Sequence, residues 1–124
     1  MIKLKLAELK LREDAFQRFM DIDFPIAIGY KLSKLFKIIN EELSTLRDLT
    51  DNLIKKYGEQ EGNQIRVAEK NQDKFAKEYA ELLEQVAELK VNKINIKLSQ
   101  LGDISLPTKD LALMDVFIEI EDDL

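Results

Sequence analysis

The chain of 124 residues carries 19 basic and 24 acidic residues, a net charge of −5, and 45% of its residues are apolar. This balance is typical of a folded domain and argues against a general nucleic-acid binder, whose phosphate contacts require a basic surface. Because Cys and His are absent, nucleophile pairs of the Ser-His or Cys-His type, thiolate zinc sites and imidazole metal ligands are excluded, and we expect a non-enzyme without a cofactor.

The first predicted element is a short strand at the N-terminus. Apolar residues alternate with lysines over residues 2–6, which is the period of a half-buried strand. This alternation is unlike a secretory signal, and the chain contains no run of about 18 apolar residues that would predict a membrane span. A short helix is then expected from Glu13 to about Met20.

Two long amphipathic helices of coiled-coil type are predicted next. After Pro25, apolar residues recur at steps of three and four, which predicts a helix over residues 26–57. Gly58 follows as a stop, and residues 59–67 are expected to form a small β-hairpin or turn at Gly62-Asn63. A returning helix is predicted over residues 68–90.

The period changes again near the C-terminus. Residues 94–98 alternate as a strand, Gly102-Asp103 turns the chain, and a last helix is expected after Thr108. The acidic segment 119–123 is expected to fray. Residues 2–9 and 94–101 share one pattern. Because the two legs of the helical hairpin return to the same place, we expect the terminal strands to pair, with Leu4 and Ile96 in one buried layer.

These elements predict a mainly α fold with a small β element. A long antiparallel helical hairpin would stand on a two-stranded sheet and short helices formed by the two termini. The chain is predicted to be a single domain over residues 1–124. Within it we expect a strand and short helix in 1–24, the hairpin in 25–91, and a strand and C-terminal helix in 92–124.

Several segments resemble small proteins of tailed phages and prophages of Gram-positive bacteria. The resemblance covers nearly the whole chain and rests on Phe24-Pro25-Ile26-Ala27-Ile28-Gly29-Tyr30-Lys31-Leu32-Ser33-Lys34-Leu35, Glu41-Glu42-Leu43, Ile54-Lys55-Lys56-Tyr57-Gly58 and Leu98-Ser99-Gln100-Leu101-Gly102-Asp103-Ile104. It implies a phage origin, in the cytoplasm of the infected bacterial host or in the virion. The family has no assigned activity, and this chain departs from it in having Pro107 before Thr108 where its relatives tend to have Thr-Pro.

The leading hypothesis is a phage-derived protein that acts by protein–protein interaction, as a virion-assembly factor or an inhibitor of a host system. Adjacent apolar pairs on both long helices widen their apolar stripes beyond what one facing helix covers. Phe36, Ile54 and Leu83 mark this excess, so we expect a homo-oligomer or a phage or host protein partner. No small-molecule substrate and no membrane are expected.

Two alternatives depend on other features. A chaperone clamp like prefoldin shares only the shape of a hairpin on a β base, and it requires an apolar tip where this chain has the polar residues 59–64. A nucleic-acid-binding accessory protein would use the row Lys31, Lys34 and Lys37, although nucleic acid is an unfavoured partner for a chain of net charge −5. A solvated helix face is the more common use of such a row.

Overall fold

A computed structural model describes residues 1–122 of the chain. Its helices are α1 (Leu6–Leu11), α2 (Glu13–Met20), α3 (Ile26–Tyr57), α4 (Gln72–Leu83) and α5 (Thr108–Met114), with short 3₁₀ helices at Glu69–Asn71 and Leu98–Leu101. Its strands are β1 (Ile2–Lys5), β2 (Gly58–Glu61), β3 (Gln64–Val67), β4 (Val86–Leu89), β5 (Ile94–Lys97) and β6 (Ile118–Glu121). The predicted class, mainly α with a small β element, is confirmed.

Helix α3 has the bounds that its apolar period predicts, residues 26–57. Its 32 residues span roughly 48 Å at about 1.5 Å per residue. The amides of Ile28 and Gly29 donate to the carbonyl oxygen of Pro25 at 3.0 and 2.8 Å, so proline opens the first turn. The fully buried positions of α3 follow steps of three and four residues and end at Leu46.

The predicted hairpin after α3 is present. Strands β2 and β3 pair antiparallel, with Glu61 opposite Gln64, so that Gly62 and Asn63 form a two-residue turn. Gly62 has a φ of 60° and Asn63 does not have a positive φ. A positive φ at the first central position alone is the pattern of a type II′ turn, which matches the right-handed twist of the flanking strands.

The predicted pairing of the two terminal strands is wrong. Strand β1 pairs antiparallel with β4, and Ile2 lies opposite Leu89. Residues 86–89 are therefore a strand, although the sequence predicted helix to residue 90 and a hairpin to residue 91. The amide of Leu6 donates to the carbonyl oxygen of Gln85 at 2.9 Å, which extends the ladder to the end of α4.

The C-terminal segment supplies the partner of β5. Strand β6 pairs with β5 in parallel, with Ile94 in register with Ile118. Residues 119–121 therefore belong to a strand, and the expectation that they fray is wrong. Asp123 lies outside the described residues. The parallel arrangement requires a long crossover, which the 3₁₀ helix and α5 provide.

Two regions differ in burial, and we name them the base (residues 1–46 and 86–122) and the arm (residues 47–85). Leu4 and Ile96 are 4% and 1% exposed, so both belong to the buried layer that the sequence predicts even though their strands do not pair. Every fully buried apolar side chain of the described residues lies in the base: Ile2, Leu4, Leu6, Leu9, Ala15, Phe16, Phe19, Ile28, Leu32, Leu35, Ile39, Leu43, Leu46, Ala87, Leu89, Ile96, Leu101, Met114, Phe117 and Ile118.

One ion pair joins α2 to α5 inside the base. Arg18 donates to both carboxylate oxygens of Asp110, from Nε at 2.8 Å and from Nη2 at 2.7 Å. Asp110 is 2% exposed. The hydrogen bonds from Arg18 hold the pKa of Asp110 below its usual range, against the opposing effect of burial. This bidentate contact fixes two helices that are distant in sequence.

Candidate functional site

The apolar residues singled out from the sequence lie in different surroundings. Phe36 is half-buried, and its ring meets that of Phe16 edge to face, with the centroids 5.4 Å apart and the planes at 81°. Leu83 is half-buried and packs against the core of the base. Ile54 is half-buried on the arm. The structure therefore does not bring the three residues together into one surface.

The lysine row is exposed as the sequence predicts. Lys31, Lys34 and Lys37 are all exposed on α3, and the ammonium of Lys34 lies 4.6 Å from the centroid of the Tyr30 ring. Tyr30 itself is 62% exposed, and Ile26 is 90% exposed. The row therefore lies beside an apolar patch at the start of α3.

Sequence reasoning missed Ile26 and Tyr30. On a helix that advances about 100° per residue, both side chains lie nearly opposite the stripe that begins with Ile28 and Leu32. An apolar residue on the back of an amphipathic helix is visible in a helical-wheel projection, so this signal was available.

The arm is built from helices α3 and α4, which contact each other. The ammonium of Lys56 donates to the carboxylate of Glu78 at 3.0 Å. This hydrogen bond lowers the pKa of Glu78 and raises the pKa of Lys56. The rings of Phe75 and Tyr79 stack one turn apart on α4, with the centroids 5.7 Å apart and the planes at 9°.

None of the residues of α4 is fully buried. The two most exposed large apolar side chains of the arm are Ile65, 44% exposed, and Leu49, 43% exposed. A groove of about 370 Å³ runs between α3 and α4, and Leu49, Leu53 and Leu82 form its apolar part. The arm thus has a continuous apolar seam that the chain covers only in part.

Residues 1–122 contain no group of three or more acidic side chains placed to hold a metal ion. In the same range no helix is long and apolar enough to cross a membrane. A concavity of about 570 Å³ lies in the base beside β6.

Comparison with protein-family models, curated proteins and solved structures finds no match. A function is therefore inferred below from the surfaces of this chain.

Proposed function

We propose that the chain is a non-catalytic interaction protein that associates with a second copy of itself through the arm. The observation that carries this proposal is that the arm, residues 47–85, has no fully buried apolar side chain, although α3 and α4 both present apolar residues there. A helix with a broad apolar face is stable when another surface covers that face. The base covers α3 only as far as Leu46.

The charges of the arm favour a second copy as the covering surface. Residues 47–85 carry 7 basic and 9 acidic side chains, a net charge of −2. Positive and negative residues are interspersed along both helices, so two arms can meet without strong repulsion. The arm has no large net charge of one sign, so it is not complementary to a strongly charged partner.

The resemblance to phage proteins supports a setting for this assembly. We propose a phage-derived factor that acts in virion assembly or on a host system, in the cytoplasm of the infected host or in the virion. In either role the paired arms would present two bases, each with its lysine row, to a phage or host protein.

The experiment is light scattering on the purified chain at micromolar concentration and on dilution. We expect a mass above the 14.4 kDa of one chain. Leu49→Glu and Ile65→Glu should each lower the mass to that of one chain while the helical circular dichroism is retained, because both side chains are nearly half exposed and a charge there remains solvated. Both substitutions place a charge in the apolar contact between copies.

Ile26→Glu is the matched control, because Ile26 is 90% exposed and lies off the arm. It should leave the mass unchanged. A wild-type mass of one chain at every concentration would overturn the proposal. Dissociation by Ile26→Glu alone would move the interface from the arm to the start of α3.

A further inference from the structure

An apolar groove lies in the base, distinct from the arm. It has a volume of about 570 Å³. Helices α2 and α5, the 3₁₀ helix after β5, and β6 all contribute to it. Its main apolar residues are Phe19, Leu101, Leu111, Met114, Ile118 and Ile120.

The groove reaches the backbone of β6. Ile118, Glu119 and Ile120 are consecutive, and all three line it. Neighbouring side chains of a strand point to opposite faces of a sheet, so a concavity that touches three in a row lies against the edge of the strand. In the described part of the chain β6 pairs with β5 alone, so its other edge has no strand partner.

The rim of the groove is mainly acidic. Asp115 and Glu119 line it together with one base, Lys93, and Glu121 follows on the same strand. Neither Asp115 nor Glu119 has an ion-pair partner within residues 1–122. In the sheet Glu119 is in register with the neutral Asn95. Glu121 is in register with Lys97, so Asp115 and Glu119 are the acids that offer unpaired negative charge next to the apolar groove.

The pairing of β1 with β4 shows that a strand with alternating lysines pairs with acidic residues in this chain. Strand β1 alternates apolar residues with lysines, and its partner β4 carries Glu88 in register with Lys3. The Lys3 ammonium lies 3.7 Å from the carboxylate of Glu88, and that of Lys5 lies 2.8 Å from Glu84. Strand β6, with alternating isoleucines and glutamates, has the charge pattern complementary to that of β1.

We propose that the edge of β6 binds an extended peptide in which apolar residues alternate with Lys or Arg. The peptide adds to the sheet as a strand through backbone hydrogen bonds to β6. One of its apolar side chains enters the groove, and its basic side chains lie beside Glu119 and Asp115. This site is independent of association through the arm.

The test uses a fluorescein-labelled synthetic peptide of repeated Lys-Ile-Lys-Val and the full chain, with fluorescence anisotropy as the readout. We expect saturable binding of one peptide per chain that weakens as salt is added. Glu119→Lys should weaken it about fivefold or more, since loss of one exposed pair accounts for about 1 kcal/mol at most and the new lysine adds repulsion. Glu41→Lys, an exposed acid on α3, is the matched control and should leave the affinity unchanged.

Two further peptides test the mode of binding. N-methylation of alternate backbone amides on the side that faces β6 should abolish binding, because a strand addition depends on those donors. A peptide with Glu in place of Lys should not bind. Equal affinity for the methylated peptide, or for Glu119→Lys and the wild type, would overturn the proposal.

The Leu49→Glu variant distinguishes this site from the arm, because it should bind the peptide as the wild type does. Backbone amide shifts in NMR spectra should be confined to β6, α5 and the lining of the groove. Binding of an apolar dye in the groove without any peptide binding would make it a small-molecule cavity and overturn the peptide assignment. Self-association that Glu119→Lys abolishes would make the occupant a second copy, with the same consequence.

Discussion

Replacing Phe36 with Ala separates a packing role of this side chain from a role in binding. A fully buried Phe replaced by Ala costs about 3–5 kcal/mol in other proteins. Phe36 is half-buried, so about half of that range applies, and the edge-to-face contact with Phe16 adds about 0.5–1 kcal/mol. We expect Phe36→Ala to lower the free energy of unfolding by about 2–3.5 kcal/mol.

The assay is urea unfolding followed by far-UV circular dichroism, at one fixed chain concentration because association would shift the midpoint. Tyr30→Ala is the control, since Tyr30 is 62% exposed on the same helix, and it should change the free energy by less than about 0.5 kcal/mol. A double-mutant cycle with Phe16→Leu and Phe36→Leu should give a coupling of about 0.5–1.5 kcal/mol.

A Phe36→Ala variant as stable as the wild type would refute this reasoning. If the same variant also lost self-association, Phe36 would belong to the interface between copies, as the sequence predicts. The aromatic contact with Phe16 would then not contribute to the free energy of unfolding.

Two further predictions concern single positions. A Cβ at Gly58 would overlap a backbone carbonyl of α3 and lie 2.5 Å from Cγ2 of Ile65, so Gly58→Ala should lower the melting temperature. At Gly29 a Cβ would meet only a carbonyl oxygen, at 3.8 Å. Gly29→Ala should therefore raise the melting temperature slightly, because alanine has the higher helix propensity. The Arg18 hydrogen bonds lower the pKa of Asp110 in the folded state, so the pair stabilises the fold above the ordinary carboxyl pKa and this stabilisation is lost from about pH 4 downward. Urea midpoints measured across that range should fall less steeply for Asp110→Asn, and an identical slope would show that Asp110 does not contribute.

The sequence predicted α3 to the residue because its signals are local. Pro25 opens the helix, buried positions recur at helical spacing, and Gly58 ends it. The hairpin at Gly62 was also accessible, because a glycine-containing turn between short segments is a local signal.

The strand pairings depend on contacts that are distant in sequence. Val86 and Leu89 continue the helical spacing of α4, yet Ala87 and Leu89 are the buried pair of a strand. A segment of only four residues fits the period of a helix as well as that of a strand. Pairing with β1, which lies more than eighty residues earlier, makes it a strand. No local pattern contains that information.

The segment Ile118–Glu121 is a different case. Its Ile-Glu-Ile-Glu alternation is a strand signal. It comes three residues after α5, however, and the helical spacing of Met114, Phe117 and Ile118 predicts the end of a helix followed by an acidic tail. The groove beside β6 was missed for the same reason, since it exists only once β6 is recognised as a strand. Of the residues that marked the apolar excess, Phe36 and Leu83 pack against the core of the base, and Ile54 alone lies on the arm away from that core.

The pairing of β1 with β4 also sets an order of events during synthesis. Residues 2–5 are synthesised before residues 86–89, and they have no strand partner until those residues follow. The elements between them are α3, the β2–β3 hairpin and α4. They depend mainly on contacts between residues close in sequence, so they can form before β1 is paired. In the assembly proposed above, the arm would therefore form before the base that carries it has closed.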